Sequence, residues 1–186
     1  MSSRRNYDGY RVILIAENSK FILFTRQKVE MVVPDNLREQ LDILSLPEGT
    51  VLDGEIWTPT KRGSWRHNKT VQCNLTFWDA IRSGTRDMSQ LALEERFAEL
   101  VSLVDQKVPD IKVVKQTPAN LDAYHKIVAE AEQFRAAQHS RSGFIHGAVL
   151  KRKGSPRRDH ATRSVEHPDW LKLVIPGMDS GALKNN

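Results

Sequence analysis

Leu93, Phe97, Leu100, Val101 and Val104 fall at i, i+4, i+7, i+8 and i+11, the period of one apolar helix face. The spacing predicts a helix over 91–106. A second is expected over 121–137 through Tyr124, Ile127, Val128, Ala131 and Phe134. A shorter one opens at Pro34-Asp35, carries Leu37, Leu41 and Leu44, and stops before Pro47-Glu48-Gly49. Around these lie β-rich runs. Tyr10 to Ala16 and Lys20 to Thr25 flank Glu17-Asn18-Ser19, which has hairpin-turn composition. Residues 50–57, 70–80, 111–115, 144–152 and 170–175 read as further strands. Helices and strands mixed in this irregular order predict an α+β fold of antiparallel sheets flanked by helices. One domain is expected over 1–176, followed by a flexible tail at 177–186.

Charge says something about partners. Lys and Arg number 28 against 23 Asp and Glu, a formal net charge of +5, which tilts the chain toward polyanions. Two segments concentrate the cations. Residues 58–69 carry Lys61, Arg62, Arg66 and Lys69 around Trp65, and 151–163 carry Lys151, Arg152, Lys153, Arg157, Arg158 and Arg163 against Asp159 alone. Basic loops of this kind suit the phosphate backbone of a nucleic acid. The single Cys73 permits no internal disulfide, so a reducing, intracellular compartment is expected, cytoplasmic or nuclear. No apolar run approaches the roughly 20 residues of a membrane span, and no membrane partner is expected. His125, His139, His146, His160 and His167 show no His-x₃-His or Cys-rich spacing, so no metal site is read from them.

The motifs carry more. Tyr-Asp-Gly-Tyr-Arg-Val at 7–12 is followed by Leu-Phe-Thr-Arg at 23–26, Leu-Asp-Gly-Glu-Ile-Trp at 52–57, Phe-Trp-Asp-Ala-Ile at 77–81, Gly-Ala-Val-Leu-Lys at 147–151 and Trp-Leu-Lys-Leu at 170–173. Each is weak alone, and Asp53-Gly54 could equally shape a turn. As an ordered set they resemble the nucleotidyltransferase (adenylation) domain of ATP-dependent DNA ligases. The resemblance implies that Asp8 sits in the nucleophile motif and that Arg11 lies near the nucleotide ribose and phosphate. It further implies that Glu55 holds ribose or metal, that Trp78 stacks on adenine, and that Lys151 and Lys172 neutralise the α-phosphate. Arg26 matches the arginine that meets a nick phosphate. The core alternatives stay open, with Trp78 and Phe77 on opposite sides of one strand.

Three positions depart from that pattern. The family's AMP-accepting lysine stands two residues before Asp8, where this chain has Asn6. A lysine amine can shed its proton and attack phosphorus, whereas the asparagine nitrogen is delocalised into its carbonyl. The Glu-Gly that opens the fourth motif is His146-Gly147, and hard divalent ions prefer oxygen ligands. The closing Lys-x-Lys is Lys172 followed at that spacing by Val174. Only residues 1–5 precede Asn6, too short a lead for the strand that contacts adenine, and 13 residues follow Leu173, so no OB-fold domain is expected.

ATP and Mg²⁺ are therefore the cofactors the resemblance implies and the departures argue against. Three readings result. The first is a pseudoenzyme that binds DNA, at nicks or ends, without forming lysyl-AMP, in repair or replication. The second is an altered ligase or nucleotidyltransferase acting with a partner. The third is a scaffold for a protein partner.

Overall fold

The computed structural model describes residues 2–7, 9–58, 68–104, 108–137, 145–157 and 169–175, with backbone alone for 2–7, 134–137 and 146. In chain order the elements are β1 (Ser2–Tyr7), β2 (Tyr10–Glu17), β3 (Lys20–Thr25), β4 (Glu30–Met31), α1 (Asp35–Leu44), β5 (Val51–Trp57), β6 (Asn74–Ser83) and β7 (Arg86–Asp87). They continue with α2 (Leu93–Val104), β8 (Ile111–Val113), β9 (Gln116–Pro118), α3 (Leu121–Ala137), β10 (Ile145–Lys151) and β11 (Trp170–Val174). Two sheets form. The larger runs β4-β3-β2-β5-β6-β7 with β8 beside β6, and the smaller runs β11-β10-β1-β9. No helix of the described residues is long and apolar enough to cross a membrane.

The β2–β3 hairpin closes through Asn18 and Ser19, both in the left-handed region at φ 53° and 57°. Two successive positive φ values give a turn whose twist matches that of paired strands. Alternation then sorts β2: Val12, Leu14 and Ala16 are buried, while Ile13 and Ile15 on the opposite face are half-buried. Under the first face, α1 contributes Leu37, Leu41 and Leu44 and α2 contributes Leu100 and Val104 to one apolar cluster. The leucine stripe thus does what its spacing predicts. A sheet packed by helices on one face leaves its other face for the smaller sheet and the site.

Two expectations need correction. β8 pairs with β6 in parallel, so the sheets are not wholly antiparallel; α2 lies between the two strands and makes the crossover that parallel neighbours require. The N-terminal lead is also not too short for a strand. Ser2–Tyr7 is β1, paired with β10 along its length and with β9 at its start. Against this smaller sheet α3 packs Ile127 and Ala131 on Ile145, Ala148 and Ile175.

Candidate functional site

β5 and β6 pair Gly54 with Phe77 and Asp53 with Asp79, which leaves Trp78 as the extra residue of a β-bulge. The bulge resets the alternation: Phe77 and Ala80 both enter the helix-packed core, and the Asp79 carboxylate meets cations together with Asp53. Asp53-Gly54 is therefore mid-strand rather than a turn. A Cβ on Gly54 would stand 2.7 Å from both Phe77 Cδ1 and the Thr76 carbonyl oxygen, so close packing accounts for this glycine.

Two buried aspartates organise the charges. Arg11 forks onto Asp53, its Nε donating to Oδ1 at 3.0 Å and its Nη2 to Oδ2 at 2.7 Å. Arg157 Nη1 donates to the same Oδ2 at 2.9 Å and lies 3.6 Å from Asp79 Oδ2. Arg96, wholly buried on the apolar face of α2, forks onto Asp79 at 2.8 and 3.2 Å and donates to the Ser155 carbonyl at 3.0 Å. Lys151 Nζ lies 3.9 Å from Asp79 Oδ2 and 4.1 Å from the centroid of the Trp170 ring, a cation–π contact. Lys151 ends β10, and 152–157 leave it, so these ion pairs tie the smaller sheet to the larger.

Burial alone would push the Asp53 carboxyl up, but the Arg11 and Arg157 guanidinium groups override it and hold Asp53 well below the ordinary carboxylate range. Burial alone would lower Arg157, and Asp53 and Asp79 raise it. The sign for stability follows from the Asp53 shift. A carboxyl depressed in the folded state adds stability that is complete above its unfolded value of 3.8 and disappears as pH falls toward the folded value. Urea titrations at pH 5 and pH 2.5 are expected to show a larger acid loss in the wild type than in Asp53→Asn; equal losses would contradict this pairing.

The residues assigned by resemblance divide between this cluster, its surroundings and the surface. Arg11 keeps 40% of its side chain exposed while its guanidinium is engaged by Asp53. Glu55 is buried and accepts the Gly9 N–H at 3.0 Å, fixing the backbone beside Asp8, which itself lies outside the described residues. Trp78 is 7% exposed and Lys151 1%. Lys172 is exposed, opposite Val149 in register. Arg26 and Lys153 are exposed. Arg157 is 7% exposed and joins the two aspartates, so it is not the solvent-facing nucleic-acid contact that its basic segment suggested. Lys61, Arg62, Arg66 and Arg158 lie outside the described residues. Sequence reasoning missed Arg96 and Asp79. A signal existed for the first: Arg96 sits between Leu93 and Leu100 on the apolar stripe, where a cation requires a buried anion.

The three departures converge. Asn6 is opposite Gly147, which is opposite Val174, and the shift from Asn6–Gly147 to Tyr7–Ile145 makes His146 a bulge residue. One transverse row of the smaller sheet thus holds Asn6 and Val174, with His146 adjoining it. A Cβ on Gly147 would collide with the Leu173 carbonyl oxygen, so β10 and β11 meet here at glycine distance. Among the described residues no three His, Cys, Asp or Glu side chains group as a metal set, and Asp53 and Asp79 already accept from guanidinium groups.

Comparison with known proteins agrees with this architecture. No family model matches the sequence. The chain is 26% identical over 193 residues to the SPbeta prophage-derived DNA ligase-like protein LigB of Bacillus subtilis (strain 168), covering 96% of this chain and 65% of that protein. Among solved structures, the ligase domain of M. tuberculosis LigD superposes with a TM-score of 0.66 at 17% identity, over 93% of this chain and 53% of that one. A Lig E DNA ligase, from work on DNA binding with a minimal scaffold, matches at 0.58 and 15%, over 94% and 61%. The chain therefore spans roughly half to two thirds of the length of these proteins. Along nearly all of its length the chain is similar in sequence to a DNA ligase-like protein, and its fold is that of the ligase domain of LigD.

Proposed function

We propose that this protein is a degenerate DNA ligase that binds DNA, at nicks or ends, without charging itself with AMP. The observation that carries the reading is the row Asn6–Gly147–Val174 with His146 beside it. The nucleophile position, the metal-carboxylate position and a phosphate-lysine position have all changed, and they lie together. Strands are about 4.8 Å apart, so the row places all these changes within one reaction centre's width. Loss at three points that must act together removes covalent chemistry, since residues acting as a unit fail as a unit.

Binding survives such losses because it draws on other residues. Arg26, Lys153 and Lys172 are exposed, and Lys61, Arg62, Arg66 and Arg158 add to the basic sequence segments. The pairs made by the buried Arg96 and Arg157 support the loop that presents Lys153 without contributing to that surface themselves.

The test is equilibrium binding to nicked duplex, intact duplex and single strand of equal length at fixed moderate salt. Preference for the nicked duplex is expected, with affinity falling steeply as salt rises. Replacing Arg26 and Lys153 by alanine is expected to flatten the salt slope by about 1 per lost phosphate contact. Absence of binding to all three polymers would overturn the reading.

A further inference from the structure

β3 is six residues long, and its outer neighbour β4 only two. The ladder between them ends at the pair of Leu23 with Met31, after which the chain leaves the sheet through Pro34 into α1. Among the described residues no strand lies beyond β4, so the first half of β3 has no outer neighbour. The hydrogen bonds fix which backbone groups face that edge. Ala16 is opposite Phe21 and directs both its groups to the β5 side: its N–H donates to the Thr50 carbonyl at 2.9 Å, and its carbonyl accepts from the Gly49 N–H at 2.8 Å. Phe21 therefore points its own N–H and C=O away from β2. The same parity faces outward further along, where the Thr25 N–H donates to the Val29 carbonyl at 2.8 Å. An edge residue so placed is a template for one more extended chain.

A cleft of about 630 Å³ opens at this point, a volume within the range of ligand sites. Every residue that lines it is among the described ones. Its apolar lining includes Met31 and Val33, buried members of the larger core cluster, and Phe21 packed against that cluster. Its charges are uneven. Lys20, Arg38 and Lys69 line it against Glu30 and Asp42. Asp42 stands one helical turn from Arg38 on α1, and Glu30 is opposite Phe24, four residues along β3 from Lys20 and about 14 Å away at 3.4 Å per residue. The Lys20 end is therefore cationic. Phe21 presents a donor and an acceptor spaced as in a peptide unit, and a second peptide residue returns both at once. In antiparallel register the residue opposite Phe21 falls on the face that holds Met31, which suits an apolar side chain. The residue after it falls on the face of Lys20, which suits a carboxylate. We infer that the outer edge of β3 docks an extended segment of a partner protein by strand addition, with an apolar residue opposite Phe21 followed by an acidic one opposite Lys20. This site is separate from the DNA-binding function proposed above: the cleft lies outside β3, whereas the ion cluster begins on β5, beyond β2.

The probe is a fluorescein-labelled hexapeptide, Thr-Thr-Val-Leu-Glu-Thr, titrated with the full chain and read by anisotropy. Saturable binding is expected, with the Phe21 amide becoming protected against hydrogen exchange. N-methylation of the peptide's Leu removes the N–H that meets the Phe21 carbonyl and is expected to weaken binding about tenfold. N-methylation of the following Glu, whose N–H points away from β3, is expected to change affinity by less than about twofold. Lys20→Glu, at an exposed position, is expected to weaken binding of this peptide and to strengthen binding of the same peptide with Lys in place of Glu; thermal unfolding confirms that the variant folds. Absence of saturable binding overturns the inference. So does equal sensitivity to the two N-methyl groups, which would show contact without strand pairing. Displacement of the peptide by nicked duplex would place nucleic acid in the cleft and overturn the assignment of a protein partner.

Discussion

Replacing Arg96 with methionine is expected to cost about 3–5 kcal/mol of folding stability, the range for removing one partner of a buried ion pair. Methionine matches the length and apolar body of arginine, so little volume is lost, and the effect comes from the charge and its hydrogen bonds. Arg96 is wholly buried and makes two contacts to Asp79, at 2.8 and 3.2 Å. Without it, the Asp79 carboxylate retains Arg157 at 3.6 Å and Lys151 at 3.9 Å, both beyond good hydrogen-bond distance. The Leu91 and Ser155 carbonyls lose a donor at the same time. Domains of this size are stable by about 5–15 kcal/mol, so the variant would sit near the folding threshold. Adding Asp79→Leu is expected to restore part of the loss by removing the stranded carboxylate, though Lys151 and Arg157 then lose an anion. Urea unfolding measures both. A single-variant loss below about 1 kcal/mol would mean that water reaches Asp79 and that the pair is not the buried anchor its geometry describes.

The second large effect is an all-or-none outcome. Asn6→Lys is expected to form no AMP adduct on incubation with ATP and Mg²⁺. The variant supplies an amine on β1 at the register position opposite Gly147, but an amine is only one part of the reaction. Attack on the α-phosphorus also requires neutralisation of phosphate charge and, in the family this chain resembles, a carboxylate-held divalent ion. His146 stands where that carboxylate is expected and Val174 where a second lysine is expected. Asp53 cannot substitute as a metal ligand while it accepts from Arg11 at 3.0 and 2.7 Å and from Arg157 at 2.9 Å. Intact mass spectrometry reads the result without assuming a downstream step. An adduct in the single variant would show that His146 and Val174 matter far less than their positions imply.

The regular elements were legible because they obey simple periods. The leucines of α1, the stripe of α2 and the boundaries 121–137 of α3 all follow from spacing, and the β2–β3 hairpin follows from alternation around Asn18-Ser19. β1 was not legible. Ser2 to Tyr7 shows no apolar alternation, and its strand character comes from pairing with β9 and β10, residues more than a hundred positions away. The bulge at Trp78 was hidden for a related reason: an extra residue changes which side chains share a face without altering the local sequence pattern, so Asp79 could not be placed opposite Phe77. Arg157 shows the limit of composition. It lies in a run of cations that reads as a solvated loop, yet its partner Asp53 is 104 residues distant, and only the fold reveals a buried anion waiting for it. By contrast, the departures at Asn6, His146 and Val174 are readable in the motif order, and the strand register places the three positions side by side.

The proposed degenerate centre is expected not to accept AMP. The direct measurement is the intact mass of the wild-type protein after incubation with ATP and Mg²⁺, with and without nicked duplex. An unchanged mass in both conditions is the expected result; a stable adduct of one AMP per chain would contradict it and show self-adenylation at a nucleophile other than Asn6.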